Sequence, residues 1–250
     1  MTSRRQPGQV SLDRALSKLG AASRADARAL ITEGRVRLDG RVVHDPSLAV
    51  VPETAHLTID GREIRRAAWR FIAFHKPRGI VTTRRDPEGR QTVFDVLGQD
   101  GRGLVAVGRL DRASTGLLLL TNDTQLANRL ADPSQRITRR YVVTVRGRVS
   151  DEAAREIEGG VTVPAAGGRG ERLHASRVTI RKASNRETHL IVELTEGKNR
   201  ELRRLFEAVG HAVTRLHRIA FGPIELGDLP AGRWRDVGKD EIDAQRISRP

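Results

Sequence analysis

The 250-residue sequence predicts an α+β fold in two parts, and three observations predict it. Short β-branched or alternating apolar runs recur from residue 71 onward (FIAF, GLLLLT, YVVTV, RVTIRK, HLIVEL), with helical segments set among them rather than in strict alternation. Two capped helical stretches open the chain, and two Asp-Gly pairs follow them. The expected architecture is a small N-terminal unit of two helices and short strands, then a larger mixed domain with a largely antiparallel sheet. Its boundaries are read as a basic tail over 1–9, a first domain over 10–66 and a second over 67–250.

In the first domain, Ser11 caps a helix with Leu12, Ala15, Leu16 and Leu19 at helical spacing up to Gly20. Ser23 starts a second helix, with Asp26 completing a capping box and Leu30 and Ile31 facing inward until Gly34. Val36 and Leu38 alternate with arginines into the Asp39-Gly40 hairpin, and Asp60-Gly61 marks another. Outward positions carry Arg14, Lys18, Arg24, Arg28, Arg35 and Arg37, a pattern suited to phosphate contacts.

In the second domain, WRFIAFHKPRGIVTT reads as strand, turn and strand, and LVAVG and GLLLLT flank an acid. Asn122 with Gln125 caps a helix ending before Pro133, and Ser150 caps one stopping at Gly159-Gly160. NRELRRLFEAVG presents Leu202, Leu205, Phe206 and Val209 on one face and Arg200, Arg203 and Arg204 elsewhere. Residues 164–174, PAAGGRGERLH, read as a Gly-rich surface loop.

Composition narrows the partners. The formal net charge is +14, from 45 Lys and Arg against 31 Asp and Glu. Such an imbalance favours nucleic acid. A membrane is not expected, since no apolar run approaches the roughly 20 residues needed to span one. The absence of cysteine excludes disulfides and thiolate metal sites and fits a reducing cytoplasm. Gly197-Lys198 has Val192 where a P-loop needs glycine, and no dinucleotide fingerprint follows a strand, so no nucleotide cofactor is expected. The seven histidines never take metalloprotease spacing, and no metal is expected.

The stretch VGRLDRASTGLLLLTND, 107–123, sets Asp111 between Arg109 and Arg112 at the mouth of the most apolar run. Gly108 and Gly116 bracket the turn and let the backbone approach something bulky. A carboxylate held ionised by nearby cations on a dry base suits a nucleophile or an electrostatic stabiliser better than a general acid.

GRLD at 108–111 followed by GLLLLTND at 116–123 resembles the catalytic signature of the RsuA/RluB branch of the pseudouridine synthases. The resemblance extends through KPRGIVTT (76–83), RRYVVTV (139–145) and EGKNRELRRLFEAVGHAVTRLHRIAFGPIEL (196–226). Residues 11–43 resemble the alpha-L (S4-like) RNA-binding domain. The resemblance implies an enzyme that breaks the glycosidic bond of a uridine in ribosomal RNA, turns the base over and rejoins it through carbon, with no cofactor and no metal. By position, Asp111 matches the essential aspartate, acting as nucleophile at sugar or base or by easing a glycal-like intermediate. Tyr141, the one tyrosine of the chain, matches the residue that stacks on the flipped base. Lys198 matches the basic residue that pairs with the aspartate, Leu216 the aliphatic residue packing on the base, and Arg109 the arginine supporting the flipped-out geometry. Lys76, Arg203 and the N-terminal Arg14, Arg24, Arg28 and Arg35 are further expected RNA contacts. Ribosomal RNA or a pre-ribosomal particle is the implied partner, with the large subunit favoured, and a monomer suffices. The rival without catalysis is an RNA-binding assembly factor that keeps the fold alone.

Overall fold

The computed structural model describes residues 8–65, 68–164 and 170–243. The described chain divides into two compact units: one runs through Arg70 and takes in 99–105 and 121–124, and the other holds the remainder. Most of the expected tail over 1–9 and the tip of the Gly-rich segment (165–169) lie outside the described residues.

In the first unit, helices Leu12–Lys18 and Arg24–Thr32 bury Leu12, Leu16, Ala27 and Ile31 with Val36 and Leu57 in one core. Four short antiparallel strands follow, and both Asp-Gly pairs turn them. Asp39 and Gly40 have φ of 49° and 81°, and Asp60 and Gly61 50° and 77°, the left-handed conformation that a type I′ hairpin requires at both central positions. Ser23 accepts the Asp26 amide as expected, but the Asp26 carboxylate answers to the Ser23 hydroxyl, so the box is incomplete. Ser11 stands at its helix start without a capping bond, because its hydroxyl donates to the Asp13 carboxylate instead.

The second unit is built on one large sheet. Seven of its nine described strands form the main path: β1 (Phe71–Lys76), β2 (Thr115–Thr121), β3 (Arg139–Arg146), β4 (Arg177–Ala183), β5 (Glu187–Leu194), β6 (Val213–Phe221) and β7 (Trp234–Asp236). They lie in the order β4-β5-β3-β6-β2-β1-β7. The β4–β5, β5–β3, β3–β6 and β1–β7 pairs are antiparallel, and β6–β2 is parallel. The sheet is therefore largely antiparallel, with its parallel step at the acid-bearing segment. Leu117, Leu118, Leu119 and Leu120 are all fully enclosed, which explains why β2 reads as an unbroken apolar run.

Gly116 marks that parallel step. It has φ of 104°, and a Cβ there would stand 2.2 Å from the Arg218 carbonyl oxygen. What the glycine admits is thus the backbone of β6, opposite it in register. Gly108 has φ of 68° and open space around it, so its role is the turn itself.

Three local expectations are corrected. Residues 80–83 form no strand: Val81 makes a single bridge to Thr92, and the Thr82 hydroxyl bonds Leu110. Asn122 does not cap helix Thr124–Ala131, since its side chain accepts from the Arg70 amide and donates to the Ala68 carbonyl. The flanks of the Gly-rich segment, Val161–Pro164 and Gly170–Leu173, pair as an antiparallel ribbon rather than a loop.

Candidate active site

The turn that carries Asp111 is gripped from several sides. The Val107 amide donates to the Leu119 carbonyl at 2.8 Å, fixing the approach to the turn against β2. Thr82 Oγ1 donates to the Leu110 carbonyl at 2.9 Å and accepts the Leu110 amide at 3.3 Å. The Gly79 amide donates to the Arg112 carbonyl at 2.8 Å, and the Ser114 amide closes the turn on the Asp111 carbonyl at 3.0 Å. KPRGIVTT is therefore the clasp of GRLDRAS, which explains why the two motifs occur together.

Lys76 completes that clasp. Its side chain is fully enclosed, and Nζ donates to the carbonyls of Ser114 at 2.9 Å and Pro77 at 3.1 Å. Burial pushes its pKa down to about 8, against the pull of the Asp111 charge. Lys76, expected as an RNA contact, thus spends its ammonium on backbone carbonyls and presents no exposed face to a phosphate.

A cavity of about 120 Å³ opens beside the turn, and Arg109, Asp111, Tyr141, Lys198 and Leu216 all line it. Four separate stretches of chain thus converge on one cavity. The Asp111 carboxylate is 34% exposed, so the recess is half open rather than dry. Tyr141 on β3 is 7% exposed, opposite Arg218 on β6 and Val192 on β5. Leu216 is 9% exposed, and Arg109 lies at the exposed rim.

The expected Lys198–Asp111 pair does not form. Lys198 Nζ is 2.7 Å from Glu196 and 3.5 Å from Glu171, and these acids hold its pKa up. Asp111 is instead faced by Arg203, whose Nε stands 4.0 Å from Oδ2. Arg203 comes from helix Glu201–Ala208, its Nη1 donates to the Val213 carbonyl at 2.9 Å, and burial lowers its pKa. The adjacent acids explain the exchange, since Lys198 has closer anions within its own loop.

Several wall residues escaped sequence reasoning. Arg139, 5% exposed, donates to the carbonyls of Ile137, Thr195 and Glu196 and stacks over Phe221 at 4.8 Å. Arg218, 3% exposed, donates from Nε to the Leu117 carbonyl at 2.7 Å. Glu201, also 3% exposed, accepts the Lys198 amide at 3.0 Å. Its signal was present: Glu201 lies four residues before Leu205, which puts an acid in the helix's apolar stripe. Arg139 lies two residues before Tyr141, on the same face of its strand.

In the first unit, Arg14, Arg24, Arg28 and Arg35 are all exposed. Arg24 and Arg28 share the enclosed Asp13 at 3.1 and 2.9 Å, and Arg35 is paired with Asp60 and Glu33. Among the described residues, no group of three or more potential ligands is placed to hold a metal, and no helix is long and apolar enough to cross a membrane.

Comparison with known proteins gives this geometry a family. Residues 70–208 match the RNA pseudouridylate synthase family, and residues 10–54 match the S4 domain. The chain is 40% identical to ribosomal large subunit pseudouridine synthase B of Yersinia pestis, over 90% of this chain and 72% of that protein. It is 41% identical to the protein of the same name from Pseudomonas aeruginosa, over 95% of this chain and 62% of that one. An uncharacterized RNA pseudouridine synthase of Aquifex aeolicus is 34% identical, over 94% and 92% of the two chains. A crystal structure of a pseudouridylate synthase, 24% identical, shares the fold with a TM-score of 0.65 over 94% of this chain and 99% of that one. Fold and matches together define an RNA-modifying enzyme that carries its own RNA-binding module. The chain belongs to the RNA pseudouridylate synthase family.

Proposed function

We propose that this enzyme converts a specific uridine of large-subunit ribosomal RNA to pseudouridine, with Asp111 as the catalytic carboxylate. The observation that carries the reading is the convergence of Asp111, Tyr141 and Leu216 on one cavity, from stretches far apart in the chain. The N1–C1′ bond breaks, the base turns over, and a C5–C1′ bond forms while C5 loses a proton and N1 gains one. Asp111 acts at the sugar, at the base, or by easing a glycal-like intermediate. Tyr141 stacks on the extruded base, Leu216 packs against it, and Arg109 at the rim supports the displaced strand. Arg203 takes the role of the cation facing the aspartate.

Extruding a uridine costs a few kcal/mol, and stacking on one aromatic face returns about 1–3 kcal/mol. Phosphate contacts to the basic surface offset the remainder. Residues 10–66 serve as the recruitment module and 67–250 as the catalytic domain. Deleting 1–66 weakens binding and flattens its salt dependence by about 0.7 for each lost single-strand phosphate contact. The charge and the large-subunit names of the relatives favour ribosomal RNA, and with it a cytoplasmic enzyme; the resemblance to the family implies no cofactor, and a monomer suffices. The test is mapping pseudouridine in ribosomal RNA from cells with the gene, without it, and with Asp111→Asn. Loss of one large-subunit site in the last two, with RNA binding retained by the variant protein, is expected. An unchanged pattern would favour an assembly factor.

A further inference from the structure

Three enclosed polar atoms belonging to residues of the cavity wall lack a hydrogen-bond partner: Ser114 Oγ, Glu201 Oε1 and Arg218 Nη2. Their residues are 1%, 3% and 3% exposed. Buried polar atoms are nearly always satisfied, so three such atoms around one cavity call for a polar ligand that supplies what they lack. Glu201 is the most constrained of the three. Its Oε2 is held by the Lys198 amide at 3.0 Å, which leaves Oε1 as a fixed acceptor without a donor. Uracil presents the complementary edge: acceptor O2, donor N3–H, acceptor O4.

Resting on the reading that uridine is turned over in this cavity, we propose that Glu201 reads the flipped base, its Oε1 accepting the uracil N3–H before and after the turn. The ring geometry gives this contact its purpose. Turning uracil over about its N3–C6 axis exchanges N1 with C5 and O2 with O4, and leaves N3–H where it was. An acceptor on that axis holds the detached base through the whole motion, while Ser114 Oγ and Arg218 Nη2 meet one carbonyl first and the other afterwards. Cytosine is rejected because its N3 is itself an acceptor.

The contact needs an ionised Glu201. Because Oε2 already accepts the Lys198 amide, a proton would go to Oε1 and confront the N3–H with a second hydrogen. The groups facing the carboxyl are Arg139 on β3 and Lys198 and Glu196 in the preceding loop. Burial raises its pKa to about 7, with Glu196 adding to the rise, while the Lys198 amide and the charges of Lys198 and Arg139 oppose it.

The experiment uses the full chain and large-subunit ribosomal RNA from cells lacking the gene, labelled with tritium at uracil C5, which is released as C5 bonds to the sugar. Glu201→Gln keeps an oxygen for the Lys198 amide but offers the base an NH₂. A fall of about 100-fold or more in kcat/KM is expected, with RNA affinity within about threefold. The acidic limb of the wild-type pH profile near 7 should vanish from the residual activity. Near-wild-type turnover, or lost turnover with that limb intact, overturns the inference, since a purely structural cap survives in glutamine. Should the glutamine variant not fold, Glu201→Asp carries the test: turnover about tenfold lower with the limb retained is expected, and undiminished turnover overturns it. A wild-type protein that releases no tritium would instead sink the functional reading itself.

Discussion

Arg203 Nε stands 4.0 Å from Asp111 Oδ2, and it, not Lys198, is the cation that faces the acid. Arg203 is itself 14% exposed and tethered to the Val213 carbonyl, so its charge is held in place rather than reaching in from solvent. A fixed charge of this kind costs no reorganisation if charge develops at the carboxylate proposed to be catalytic. Arg203→Ala is expected to lower turnover about 100-fold with RNA affinity nearly unchanged, and Arg203→Lys to recover part of it. Lys198→Ala, which removes a half-exposed ammonium paired to Glu196 and Glu171, should cost only a few-fold. Single-turnover tritium release from the labelled RNA measures all three, and a larger loss at Lys198 than at Arg203 would reverse the assignment.

The reason that exchange was not legible lies in the acids that gather around Lys198 in the loop before the helix. Lys198 and Arg203 are both cations of one motif, and sequence order says nothing about which points across the cavity. Glu196 and Glu171 decide it, and Glu171 arrives from a ribbon read as a loop. By contrast, β2, the Asp-Gly hairpins and the gathering of Asp111, Tyr141 and Leu216 were legible. The first two rest on local chemistry, an apolar run and a left-handed turn pair, while the third rests on the resemblance to the pseudouridine synthases, which implied those residues by position. Asn122 and Thr82 were misread for the opposite reason, because each spends its side chain on backbone distant in sequence. Lys76 was read as an RNA contact because its type is rarely enclosed, and only tertiary structure supplies the two carbonyls that permit its burial.

Lys76 therefore offers a prediction about position rather than binding. Lys76→Met leaves the Ser114 carbonyl without its donor and loosens the turn that begins at Asp111. Small displacements of a catalytic group have large kinetic effects, so turnover should fall about 30–100-fold. RNA affinity should be unchanged within about twofold, as a filter-binding titration over a range of salt concentrations would show. A loss of affinity with a shallower salt slope would instead restore Lys76 as a phosphate contact.

Gly116→Ala tests the parallel step of the sheet. The added Cβ would lie 2.2 Å from the Arg218 oxygen and 2.7 Å from its nitrogen, both backbone atoms that no rotamer change can move. A φ of 104° adds strain for any L residue. The combined cost is expected to be about 3–5 kcal/mol, or a fall in Tm on the order of 10 °C. Activity should suffer beyond the loss of stability, because separating β6 from β2 also shifts Arg218 and the Asp111 turn. Thermal unfolding paired with tritium release well below Tm separates the two effects.

Glu201 makes the stability of the free enzyme depend on pH with a definite sign. Its carboxyl is raised from the ordinary 4.5 to about 7 in the folded chain, chiefly by burial. Between those values the folded state binds more protons than the unfolded one, so its contribution is complete below about 4.5 and is lost as pH rises through 7. The full loss is on the order of 3 kcal/mol. Glu201→Gln keeps the Lys198 contact and removes the titration, so its Tm should gain on the wild type progressively from pH 5 to pH 8. That gain would set stability against activity at one residue, the pattern expected where a buried charge is kept for a substrate rather than for the fold. A difference in Tm that stays flat across this range would mean that the carboxyl is already ionised at pH 5, with its charge satisfied within the wall.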